Sequence, residues 1–501
     1  MNLKIRVVVL CIGLGMIAST IALAQEQAAP ITDWPQWGRT SSHNSSTQAV
    51  GQSPEAKLAH FVYDPFVAQE KAEEAGHLLA HYQVPLVDGN SVFLEYKTGK
   101  YVSCDPPGSG RPYPCGPDNW NTEIWNERAF IWKNGKLVEL WNFQSDWKPE
   151  PNTDAGGHNR DGLWGWEPVF HAALWNGNVF VPGLGGTIYK IAETNGKVVA
   201  HYNPFSTVDP NRFVSGPPTI DSRGNIYYNV LGLDAENPWS ANVLNSWLVK
   251  ITPAGVVQKV SYSKLTAKAT THGSQRPGVN VSPAVSADGA TIYTATAAHF
   301  NPYDAYLVAV NSDLTAKWHT SLTNLGKSKI TGEVYDAASA SPVVLPDGCV
   351  LLGVLGGSSV RGYLLKFNTA GKYLTFYNFG WDETPAIYVH DGTYSVITKN
   401  NYYETNGPYY ITQLSADLVP EWSYKSADNF EWCVNAPAVD DDGNVYGDNE
   451  DGNLFVIKQG GTLKAKIFLQ QATDAAYTPV SIGRDGRIYT LNSGDMFAIG
   501  N

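Results

Sequence analysis

The sequence is short of charge, methionine and cysteine. Each shortage removes a class of function. Only 16% of the residues are charged, and Asp and Glu (47) outnumber Lys and Arg (35), for a formal charge of −12. A surface of that sign repels phosphate backbones, so nucleic acid is excluded as a partner. The five cysteines are Cys11, Cys104, Cys115, Cys349 and Cys433. None has zinc-like spacing with a histidine, and no two are adjacent, so no metal site is expected from them. After the first two dozen residues no apolar run is long enough to span a bilayer. Cys11 follows Leu10 without a lipobox, which argues against a lipid anchor.

The one long apolar run is at the start. Lys4 and Arg6 precede Val7 to Ala22, and Ala22-Leu23-Ala24 offers a small-x-small cleavage site before Gln25. This reads as a signal peptide over residues 1–24, with a periplasmic or extracellular mature chain. Its removal takes two cations and no acid, making the mature chain still more negative. Trp (16), Tyr (27) and Gly (47) are abundant, as in β-rich exported proteins. Low charge density also suits a chain facing acid. Cys104 and Cys115 flank a Pro- and Gly-rich loop, and an oxidising compartment would allow a disulfide there.

One unit recurs along the chain: a Pro-led apolar run, an Asp-Gly-like turn, then an apolar run ending in an aromatic. "PPTIDSRGNIY" starts at Pro217, "SPAVSADGATIY" at Ser282, "APAVDDDGNVY" at Ala436 and "TPVSIGRDGRIY" at Thr478. Looser copies start at Val84, His171, Ser341 and Thr384. The turn glycines are Gly89, Gly177, Gly224, Gly289, Gly348, Gly392, Gly443 and Gly486. Two further strands follow most turns, such as "WLVKIT" at Trp247 and "VVQKVSY" at Val256. Four short strands per roughly 40–50 residues is β-propeller spacing. The last unit ends after its third strand, and "AKLAHFVY" from Ala56 supplies a fourth. The expectation is an all-β, eight-bladed β-propeller closed by an N-terminal strand. The irregular first unit leaves seven or nine blades open. Residues 25–501 form a single domain on this reading. Inserts at about 97–127 and 145–165 are candidates for a lid or a homodimer contact.

"DWPQWGR" from Asp33 and "AETNGKVVAHY" from Ala192 resemble the opening and the repeat of pyrroloquinoline-quinone (PQQ)-like propeller proteins. The repeats are degenerate, and most have lost the tryptophan-docking pattern. The quinoprotein dehydrogenases of that superfamily usually carry an adjacent Cys-Cys pair, absent here, so no organic cofactor and no PQQ is expected. The segments "DGLWGWEPVFHAALWNG" and "TGEVYDAASASPVV" resemble the tetrathionate hydrolase family. That resemblance implies hydrolysis of tetrathionate to thiosulfate, sulfur and sulfate, in an exported enzyme of acid-loving sulfur oxidisers.

In a propeller the loop leading into each innermost strand opens on one face. Here those loops carry aromatics, cations and acids together. Arg160, Arg212, His272 and Arg276 are candidates for gripping a small inorganic dianion, because guanidinium forks match sulfonate-like oxygens. Trp164, Trp166, Trp381 and Trp432, with Tyr335 and Glu167, are candidates for the walls of a slot around soft sulfur. Asp336, followed by the small residues "AASAS", is the candidate base. A carboxylate beside arginines stays ionised in mild acid and can take a proton from water. Glu167, Asp382 and Glu431 are rivals. Cys433 is a candidate thiol for exchange with a sulfur–sulfur bond. The competing reading of each is structural: blade-to-blade ion pairs, core aromatics, turn-capping aspartates. Two other functions fit the sequence, a non-enzymatic periplasmic scaffold and a polysaccharide-active propeller whose aromatics would stack on sugars.

Overall fold

The computed structural model describes residues 33–73, 83–101, 122–148, 169–233, 243–267, 273–299, 301–335, 338–356, 361–380, 383–432, 435–471 and 479–501. These residues form eight antiparallel sheets, each a blade of a propeller. Seven blades follow one another along the chain: 86–144, 173–202, 212–261, 275–321, 332–379, 386–425 and 438–468. Blade 8 combines three C-terminal strands (Ser481–Ile482, Ile488–Asn492, Asp495–Gly500) with the outer strand Ala56–Val62. The ring is therefore closed by an N-terminal strand. Among the described residues there are two short α-helices, Val67–Glu73 and Tyr262–Thr266.

Burial follows distance from the ring's rim. The second strands Ile226–Leu233 and Thr291–Ala298 are buried at every residue, because a neighbouring blade covers each face. The outer strand Ala316–Ser321 alternates exposed and half-buried. Hence the second strands read as continuous apolar runs and the outer strands as alternating ones. All eight turn glycines between the first and second strands have φ between 60° and 83°, where a Cβ would be strained.

Tryptophans couple successive blades. Trp141 of blade 1 donates its indole N–H to Glu193 O of blade 2 (2.7 Å) and lies flat where a Cβ on Gly196 would stand. Trp318 of blade 4 does the same with Thr369 O (3.0 Å) and Gly371 of blade 5. Trp422 covers Gly461 between blades 6 and 7, and Tyr202 covers Gly255 between blades 2 and 3. Docking thus survives at several junctions that the degenerate sequence pattern obscures.

The first described residues form a strap that touches every blade in turn. Trp34 exchanges two backbone hydrogen bonds with Val87 of blade 1 (3.0 Å each), and Leu174 of blade 2 donates to Pro35 O (2.7 Å). The Gln36 amide brackets Ile220 of blade 3, donating to its carbonyl (3.1 Å) and accepting its N–H (2.6 Å). Carbonyls of Ser41, Ser42, Asn44 and Ser45 accept from Val285, Val344, Ile387 and Val439 of blades 4 to 7 (2.6–3.0 Å). Gln52 then donates to Gly486 O of blade 8 (2.8 Å). All these partners lie on innermost strands or in the turns that follow them, so the strap runs across that end of the ring, the lower face. Trp34, Trp37 and His43 of the strap are at most 2% exposed. This is the structural role of the "DWPQWGR" motif.

Candidate functional site

Above the strap the innermost strands are stitched side to side. Ser282 N–H donates to Ser341 Oγ (2.9 Å), Ser341 N–H to Thr384 Oγ1 (2.9 Å), and Thr384 N–H to Asn435 Oδ1 (2.8 Å). Val84 N–H donates to His171 Nε2 (3.2 Å), and His171 Nδ1 lies 2.6 Å from Ala172 O. The carbonyl can only accept, so His171 is neutral with its proton on Nδ1. Burial pushes its pKa down to about 4. Asn280 of blade 4 accepts the N–H of Val169 of blade 2 (3.1 Å), reaching across blade 3. It passes over Gly216, where φ is 73° and a Cβ would run into Val281 O. Gly216→Ala is expected to destabilise the protein by about 1–3 kcal/mol, read from thermal unfolding.

Side-chain hydrogen bonds thus tie the innermost strands together above the strap, and the lead-in loops lie on the opposite, upper face. Buried charged groups gather there, on lead-in loops and at the upper ends of second strands. Arg276 is 2% exposed, and its guanidinium donates to Pro277 O (2.9 Å) and faces His299 Nδ1 (3.4 Å). Burial, helped by the Arg276 charge, drives the His299 pKa to about 3, so its ring is neutral. Glu333 is 3% exposed and bonds the exposed Tyr303. The lead-in loops of blades 4 and 5 are tied together, for Asn280 N–H donates to Ala338 O (3.3 Å). Ala338 N–H in turn donates to Tyr335 O (3.1 Å).

Two more charged sets line this face. Lys97 and Asp64 form a fully buried ion pair (2.6 Å) under Tyr63 and Trp125. Glu383, at the start of blade 6, accepts Thr398 Oγ1 and the N–H of Lys399 (2.9 Å). The sequence reading left Lys97, His299 and Lys399 out. Each is a charged or titratable residue at or just past the last third of a buried second strand, as in "SVFLEYKTG" and "TYSVITKNN".

The predicted residues separate as follows. Arg276 and Tyr335 lie in the blade 4–5 corner. Arg212 does not join them. It pairs with Asp209 (3.4 Å) and stacks over Phe205 (4.1 Å), which fixes it within blade 3 and its lead-in loop. Trp432 is fully buried against Phe455 (5.1 Å) and Tyr424 (6.1 Å), so its ring serves core packing. Arg160, Trp164, Trp166, Glu167, His272, Asp336, Trp381 and Cys433 lie outside the described residues, as do Cys104 and Cys115. Cys349 is a half-buried free thiol. On the lower side Asp391, His390 and Ser395 form a hydroxyl–imidazole–carboxylate series (2.9 and 3.4 Å). Ser395 is fully buried and donates to Glu421 Oε2 (2.7 Å), so it cannot serve as a nucleophile.

No protein-family model matches the chain, and no curated protein matches it. Solved structures do. A europium-containing methanol dehydrogenase superposes with a TM-score of 0.56 at 11% identity, over 92% of this chain and 89% of that one. Quinohemoprotein alcohol dehydrogenase from Comamonas testosteroni superposes with a TM-score of 0.58 at 13% identity, over 95% and 82%. BamB from Moraxella catarrhalis reaches 0.45 at 9% identity, over 89% and 99%, too low to argue from. Identities of this order establish a shared propeller fold and nothing about activity. Among the described residues no three His, Cys, Asp or Glu side chains cluster to hold a metal ion.

Proposed function

We propose that the protein is an exported hydrolase of a small sulfur oxyanion, tetrathionate, working at the upper mouth between blades 4 and 5. The observation that carries this reading is the buried guanidinium of Arg276, at the end of a short strand whose continuation at Asn280 hydrogen-bonds Ala338 of blade 5. A guanidinium removed from water binds an oxyanion strongly, because the low dielectric enhances the attraction. Asp336 then takes a proton from the attacking water. The overall balance is one tetrathionate and one water to one thiosulfate, one sulfur, one sulfate and two protons. His299, its pKa lowered to about 3 by burial and by the Arg276 charge, stays neutral in mild acid. No organic cofactor takes part. Homodimerisation through the inserts and a periplasmic or extracellular location belong to the same proposal.

The test is turnover of tetrathionate by the mature chain at pH 4 and pH 7, without added cofactor, following thiosulfate and sulfate. Asp336→Asn is expected to lower kcat by about 10²–10⁴-fold while the circular dichroism stays unchanged. Full activity in that variant rejects Asp336 as the base. No turnover by folded wild-type protein rejects the reaction and favours the scaffold or the polysaccharide reading. A quinone absorbance band after reconstitution with PQQ would favour a dehydrogenase instead.

A further inference from the structure

We propose that the strap of residues 33–52 is an acid-sensitive closure of the lower end of the channel, with His43 as the group whose protonation loosens it. This inference is independent of the catalytic reading, because the strap lies at the end of the channel opposite Arg276.

His43 is fully buried where three blades meet. Its Nδ1 lies 2.8 Å from Pro342 O of blade 5 and its Nε2 3.2 Å from Thr219 Oγ1 of blade 3. Ser282 Oγ of blade 4 lies 3.4 Å from the same nitrogen. A carbonyl can only accept, so Nδ1 carries the proton and Nε2 accepts from the Thr219 hydroxyl. Ser282 Oγ donates to Pro217 O (2.9 Å) and lies 2.8 Å from Thr219 Oγ1. If Nε2 gained a proton, Thr219 could turn its hydroxyl toward Ser282, and every hydrogen bond would survive. The penalty of protonation is therefore the charge itself, placed among groups that carry none.

The surrounding charges do not offset it. Blades 3, 4 and 5 present Thr219, Ser282 and Pro342 to the ring, two hydroxyls and a carbonyl. In their lower turns Asp221 is bonded by Arg223 and Asn225, Asp288 by Ser286, and Asp347 by Lys366 and Tyr394. On the strap, Asp33 accepts Gly89 N–H and is paired with Arg484, and Arg39 donates to Asp33 O. Blade 2 contributes His171, itself neutral, which meets Trp37 edge-on. Burial accordingly pushes the His43 pKa down to about 4. The unfolded or released segment titrates near the ordinary histidine value, so closure is fully favoured above about pH 6.5 and weakens as pH falls toward 4.

Movement of the ring must carry the strap with it. His43 has φ of 61°, and its N–H donates to Thr40 O (3.0 Å). A Cβ on Gly38 would stand 2.7 Å from His43 Cα, and Ser45 N–H donates to Gly38 O (2.9 Å). The turn from Gln36 to Ser45 is thus one packed body with His43 inside it.

The experiment is hydrogen exchange of the mature chain from pH 7 to pH 4, corrected for intrinsic rates. Amides of residues 33–52 are expected to lose at least tenfold more protection between pH 6.5 and 4 than strands 226–233 and 291–298. His43→Asn tolerates the positive φ and does not titrate. It is expected to keep strap protection constant over that range. If strap and blade strands lose protection together in the wild type, the proposal is overturned, and that result needs no variant. If His43→Asn shows the wild-type loss, the strap opens by another group and His43 is eliminated.

Discussion

Trp37→Ala is expected to lower the unfolding free energy by about 3–5 kcal/mol, the usual range for deleting a fully buried large aromatic. Trp37 is 2% exposed and sits between the strap turn and His171 of blade 2. The cavity could not be filled by collapse. The strap is held by backbone hydrogen bonds to successive blades, and the ring cannot shrink locally without breaking them. Urea unfolding should show an earlier midpoint with an unchanged slope, since the same surface is exposed on unfolding. A loss below about 1 kcal/mol would mean that the strap is not integral to the ring.

The second large effect concerns Glu127. It is 1% exposed in the third strand of blade 1, opposite Glu95, and burial raises its pKa to about 8. The folded state therefore keeps a proton that the unfolded chain releases above about pH 4.5. Stability from this group is present at low pH and is lost as pH rises through 8. A displacement that large is worth about 5 kcal/mol. Glu127→Gln keeps the shape and removes the titration. At pH 9 it should be more stable than the wild type by several kcal/mol, and at pH 4 nearly equal. Equal stability at both pH values would show that Glu127 is ionised and solvated in the folded protein. The neutral histidines act in the opposite direction. His43, His171 and His299 all have depressed pKa values, so they favour folding above about pH 6.5 and oppose it in acid. Stability should therefore pass through a maximum near neutral pH. This weighs against the low charge density alone as a sign of acid tolerance.

The fold was legible because its signals are local. A turn glycine between two apolar runs recurs eight times, mostly with a leading proline and an aromatic, and each is demanded by one hairpin. The closing strand was legible too, because the last unit visibly lacked its fourth strand. The strap was not. Trp34, Pro35 and Ser41 to Ser45 have no periodicity, and their partners are blades tens to hundreds of residues away. The site was legible only in part. Arg276 and Tyr335 could be placed from the Pro-led strand that each precedes. Arg212 occupies the same position in its repeat, yet it turns toward Phe205 and Asp209, a local competition that repeat position does not encode. Trp432 has the composition of a slot wall and the surroundings of a core.

The double use of the N-terminal segment, strap below and outer strand in blade 8, has a consequence in time. Of the described residues, those made first are placed last. Arg484 meets Asp33 across 451 residues. Closing a loop of that length costs about 5 kcal/mol by chain entropy, incurred before any closing contact forms. Blades 1 to 7 can each collapse as they emerge, but blade 8 and the strap must wait for the final residues. A chain cut a few residues short of Asn501 would lose the partner of Ala56–Val62 and leave the ring open. Refolding should accordingly end in one slow step, and the finished ring should unfold more slowly than any of its hairpins would alone.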